Sequence, residues 1–138
     1  MYVETVTYKG FDGIERTEDF YFHLSKAELV KLENSVMGGY VERMQRIIKA
    51  QNGPEISAAF EDLIKKSYGV RHEDGRRFVK NDQVYQEFAE TEAYSVIYMK
   101  LCTDAEAAAK FVNGIIPDDI QVDAANLAEL NPGLKPVN

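Results

Sequence analysis

The chain has no tryptophan, a single cysteine and two histidines in 138 residues. One cysteine, Cys102, excludes an intrachain disulfide. Its place in an apolar helical run reads as a buried, inert thiol rather than a reactive one. His23 and His72 have no histidine partner nearby in sequence, which argues against a metal centre. Positive charge is also scarce: 16 Lys and Arg stand against 23 Asp and Glu, for a net charge of −7. Sequence-independent nucleic-acid binding needs a clustered positive surface, so no nucleic-acid partner is expected. No apolar run approaches the ~18–20 residues of a membrane-spanning helix. No charged-then-apolar signal segment opens the chain. The expectation is a cytoplasmic protein with no membrane partner.

Chemical signatures are missing as well. Gly38-Gly39 has neither the spacing nor the lysine of a phosphate-binding loop. Asp118, Asp119 and Asp123 lack the alternating oxygen ligands and central glycine of a calcium loop. No nucleophile-elbow pattern occurs. No catalytic, cofactor-binding or metal-binding residues are therefore assigned, and no enzyme is expected. The basic stripe Arg43, Arg46, Lys49 reads as a solvated helix face, and Arg76-Arg77 as a solvated turn.

What is present is a hydrophobic fraction of 45% with eight Tyr and seven Phe, enough large apolar surface for one core. The pattern predicts an α+β protein that is mostly α: an N-terminal β-hairpin over residues 2–24, then a compact bundle of five to six short helices. Residues 1–117 read as a single globular domain, with the helical body over 25–117 and an acidic tail over 118–138.

Asp12-Gly13 suggests a two-residue hairpin turn. That turn places Thr5 opposite Phe20 and Val3 opposite Phe22 on a core-directed face, and leaves Glu4, Val6 and Tyr8 on a half-exposed one. Such a hairpin must pack on helices or on another subunit's strands. Ser25-Lys26-Ala27-Glu28 is a capping box, with Leu24 and Leu29 at staple spacing. Helices follow from Lys26 to about Asn34, from Tyr40 to about Gln51, and from Pro54 to before Tyr68-Gly69. Asn52-Gly53 ends the second of these.

Val70–Lys80 reads as a second short hairpin about Asp74-Gly75, or as a plain loop. Asn81 or Asp82 caps the next helical run, which Thr91-Glu92 either breaks or continues. Thr103-Asp104-Ala105-Glu106 is another capping box, and Asn113-Gly114 with Pro117 stops the last strong helix. Asp123–Leu130 has the pattern of a short capped helix. Tyr94 and Tyr98, four apart on one helical face, together with Leu127 and Leu130 are the candidate partner-binding residues. Core packing explains the tyrosine pair equally well.

Several segments together carry a resemblance: Phe20–Leu29 at the end of the hairpin, Tyr68-Gly69, Asp74–Phe78, Thr91–Ser95, and Thr103–Pro117. In this combination and order the chain resembles the tail assembly chaperones of long, non-contractile-tailed bacteriophages and prophages. The resemblance implies a non-enzymatic assembly factor, made in the host cytoplasm and absent from the mature virion. It implies binding to the tape measure protein, which is kept soluble while tail tube subunits are recruited. The major tail tube protein and further copies of the chain itself are further expected partners. A longer form made by programmed frameshifting is implied near the tail. The alternative is a structural tail or connector subunit of the virion.

Overall fold

Two strands open the chain, β1 (Tyr2–Lys9) and β2 (Glu15–Phe22), paired antiparallel. The computed structural model describes residues 1–117. Leu127, Leu130 and the expected helix over Asp123–Leu130 lie outside the described residues. The hairpin register corrects the expected one by a single residue. Tyr2 pairs with Phe22 and Glu4 with Phe20. The turn is the cause. Gly10 and Ile14 close a three-residue loop, with the Gly13 amide donating to the Gly10 carbonyl and Gly13 at φ +82°. This arrangement, a tight turn followed by a left-handed glycine, adds one residue over the two-residue turn.

A one-residue slip exchanges the faces of a strand. Val3 and Thr5 therefore point outward, Val3 being 45% exposed, while Val6 is buried with Phe20 and Phe22. Tyr2 and Tyr8 pack against the same core from its edge. Outside, the Thr5 hydroxyl donates to Asp19, and Thr7 and Thr17 share a hydrogen bond.

Among the described residues six helices follow: α1 (Lys26–Ser35), α2 (Tyr40–Ala50), α3 (Gly53–Ser67), α4 (Asp82–Ala89), α5 (Glu92–Thr103) and α6 (Ala105–Gly114). The fold is α+β and mostly α. Ser25 and Glu28 form the reciprocal capping box, and Leu24 and Leu29 are both buried beside it. Asn52, Asn81 and Thr91 cap α3, α4 and α5. Thr91 thus breaks the long apolar run in two.

Two caps fall one residue from expectation. Asp104, not Thr103, caps α6, because its carboxylate reaches the Glu106 and Ala107 amides while the Thr103 hydroxyl turns back to the Met99 carbonyl. At the end of α2 the left-handed residue is Gln51, which leaves Asn52 free to start α3.

The hairpin is not left to another subunit's strands. α3 runs directly into β3 (Tyr68–Arg71), which pairs with β2 and then with β4 (Phe78–Val79) across the Asp74-Gly75 turn. The result is one antiparallel sheet in the order β1-β2-β3-β4. Tyr68-Gly69 thus begins a strand rather than only ending a helix.

Lys80 fixes the corner where these elements meet. Its ammonium donates to the His23 carbonyl (3.0 Å), the Lys66 carbonyl at the end of α3 (3.0 Å), and the Glu28 carboxylate of α1 (2.7 Å).

The inner face of the sheet and the helices share one hydrophobic core. Phe22, Phe60 and Phe111 are fully buried. Phe22 meets Phe111 edge-on at 5.2 Å, and Tyr68 stacks on Phe88 at 4.2 Å. Truncating a ring of this kind to alanine costs about 3–5 kcal/mol.

Candidate functional site

Tyr94 and Tyr98 do share one face of α5, stacked at 5.8 Å and 11°. That face looks inward, and both residues are half-buried. Tyr94 meets Tyr85 and Phe88 of α4 edge-on at 6.3 and 5.4 Å. The Tyr98 hydroxyl donates to the Ser57 carbonyl of α3 at 3.0 Å and also pairs with the Ser57 hydroxyl. The tyrosines therefore tie α5 to its neighbours. Burial, with the Tyr85 hydroxyl adding to it, pushes the Tyr94 phenol well above its ordinary range. Burial likewise raises the Tyr98 phenol and the Cys102 thiol, so neither is an activated nucleophile.

The opposite side of α5 carries what sequence reasoning missed. Val96 and Met99, one turn apart, are 45% and 55% exposed. The signal was in the helix itself. Its sequence (EAYSVIYMKLCT) is apolar on every side rather than in one stripe, which fits a helix buried all round. Here Ala93, Ile97 and Leu101 reach the core while Val96 and Met99 reach solvent. Beside them Lys100 pairs with Glu4 of β1 at 2.7 Å. Other exposed apolar residues among those described are Met1 and Val3 at the start of the chain, Phe11 and Ile14 at the hairpin tip, Met37 before α2 and Val70 in β3.

Two open grooves lie elsewhere. One, of about 670 Å³, runs between α2 and α3 past Arg43, Arg46, Ala58 and Asp62. Arg46 lies 3.8 Å from Glu42, and the stripe Arg43, Arg46, Lys49 is exposed, as a solvated face should be. The other, of about 710 Å³, crosses the outer face of the sheet past Tyr21, Arg71 and Phe78 to the Asp74-Gly75 turn. In that turn the Arg76 amide and the Arg77 side chain hold the Asp74 carboxyl below its usual range. His72 sits 3.2 Å from the same carboxylate. Among the described residues no three His, Cys, Asp or Glu side chains come together as a metal-ion group. No helix among them is long and apolar enough to cross a membrane.

Both grooves are open to solvent. Neither the curated proteins nor the solved structures contain a significant match to the chain. The family model described as phage tail assembly chaperone matches residues 1–135. With nearly the whole sequence matched, the chain belongs to the phage tail assembly chaperone family.

Proposed function

We propose that this protein binds the tape measure protein in the host cytoplasm, keeps it soluble, and promotes assembly of tail tube subunits around it, without enzymatic activity and without entering the mature virion. Family membership carries this reading. The surface supports it, because a holding protein needs accessible apolar groups together with charge that keeps the complex in solution. Val96 and Met99 on α5 supply the apolar groups, and the net charge of −7 supplies the second requirement.

The client-binding face is assigned to α5, with Val96 and Met99 in contact, while Tyr94 and Tyr98 on the inward side of the same helix hold it against α3 and α4. Leu127 and Leu130, outside the described residues, are proposed as a second client contact, separate from α5. Each copy holds a short stretch, and many copies along a long client, in contact with one another, give avidity from weak individual contacts.

Co-expression of the tape measure protein with and without this chain, followed by a solubility assay and pull-down, tests the reading. Soluble, co-purifying client is the expected result. Unchanged client solubility without pull-down removes the reading. Stoichiometric copies in purified particles identify a structural tail subunit instead.

A further inference from the structure

The groove on the outer face of the sheet is basic in an acidic protein. Its lining holds three arginines, Arg71, Arg76 and Arg77, and a single carboxylate, Asp19. Asp19 is engaged by the Thr5 hydroxyl at 2.6 Å. The Arg71 guanidinium lies 4.3 Å over the Tyr21 ring and donates to its hydroxyl, which fixes a planar cation on the groove floor. Arg76 and Arg77 have side chains 84% and 60% exposed on the rim, where the Asp74 carboxylate beside the groove lies 3.9 Å from Arg76 and 3.2 Å from Arg77 and leaves the rim with one net positive charge over it. Phe78 adds an apolar wall, its ring lying over Gly69, where a Cβ would come within 2.6 Å of it. A groove of this kind fits a peptide with carboxylates spaced along a partly apolar backbone.

Such a peptide begins beside it. The Ile115 carbonyl accepts from the Leu24 amide at 2.8 Å, and Gly114 packs against the Tyr2 ring. His23, next to Leu24, lines the groove. Pro117 is two residues beyond that anchor, a reach of roughly 7 Å for extended chain. The sequence then reads Asp118-Asp119-Ile120-Gln121-Val122-Asp123. Over residues 118–138 four carboxylates stand against one lysine. Ile120 and Val122 alternate with polar residues, matching a surface with arginines on its rim and aromatic rings on its floor.

We infer that the groove of Tyr21, Arg71, Arg76, Arg77 and Phe78 is the docking site for the chain's own segment Asp118–Asp123. Because the connection is so short, the loop to be closed carries little entropy and the local concentration of the segment is high. The tail is thereby steered along the sheet, on a face distinct from α5, and its ion pairs with the rim make the docking salt-sensitive.

The full chain tests this by nuclear magnetic resonance. A nitroxide is attached through Asp119→Cys in a Cys102→Ser background. Amide signals of Tyr21, Arg71 and Arg77 should lose most of their intensity while those of Arg43 and Arg46 keep theirs. Molar salt, or Arg76→Glu with Arg77→Glu, should restore them. A second measurement leaves Cys102 native: Asp118→Asn, Asp119→Asn and Asp123→Asn together should shift the same groove amides and not those of α2. Broadening that is absent, uniform over the surface, or centred on the α2–α3 groove overturns the inference. So does broadening that arises only between labelled and unlabelled copies, which assigns the groove to a second chain.

Discussion

Glu33 is buried in α1, yet it serves α2. Gly39, the residue before α2, has no side chain with which to cap it, and the Glu33 carboxylate accepts from the Val41 amide at 2.8 Å instead. This satisfies a donor that the helix leaves open and sets a negative charge at the positive end of its dipole. Gly39 makes the approach possible, because a Cβ there would lie 2.2 Å from the carboxylate, on a backbone at φ +94°. Gly39→Ala should therefore cost about 3 kcal/mol through strain and displacement of the cap, read from urea unfolding. Burial raises the Glu33 carboxyl above its ordinary value of 4.5, against the pull of the Val41 and Tyr40 amides. The folded protein thus holds this proton more tightly than the unfolded chain. The stability this provides is complete below pH 4.5 and is lost as pH rises through the elevated value. Glu33→Gln, which keeps an acceptor for Val41, should gain stability relative to the parent as pH rises across that window. Unfolding curves of both proteins from pH 4 to 8 give the difference, in which the other carboxylates cancel. None of this was legible in the sequence. A glutamate inside a helix reads as solvated, and its target lies eight residues ahead on another element.

The local cap at Ser25–Glu28 was legible because donor and acceptor sit within three residues of each other, whereas the sequence left Asn81 level with Asp82 and left open whether Thr91 breaks the helix at all. The pairing of β2 with β3 was not legible, since nothing near Tyr21 in sequence announces Gly69. The hairpin register was misread because Asp12-Gly13 serves a two-residue turn and a three-residue turn equally well, and only the pairing decides between them. At α5 helical periodicity found the Tyr94–Tyr98 face but not its consequence. Those rings bind α5 to α3 and α4, whereas Val96 and Met99 are left outside. Val96→Asp with Met99→Lys should leave stability within about 0.5 kcal/mol of the parent, as exposed substitutions do. The same pair should abolish capture of the tape measure protein in a pull-down. Tyr98→Ala should do the reverse, costing roughly 2–4 kcal/mol by leaving a void and an unpaired Ser57.

One core joins the sheet to all the helices, so the described residues should melt together. Removal of residues 118–138 should leave a single unfolding transition, with equal calorimetric and van't Hoff enthalpies. Two separated transitions would divide the body into independent units. Composition alone spoke to this scale only by exclusion. The functional reading came from the combination of segments and from the family match, because a polypeptide-binding surface has no fixed constellation of side chains. The junction at Ser67–Tyr68 has a consequence of a different kind. α3 becomes β3 with no intervening residue, and the Ser67 carbonyl accepts from the His23 amide at the seam. The seam has no slack to absorb a change in chain length. One residue inserted there would turn β3 over and send Tyr68 outward, whereas an insertion at Phe11–Gly13 or Asp74-Gly75 would only lengthen a solvent-facing tip.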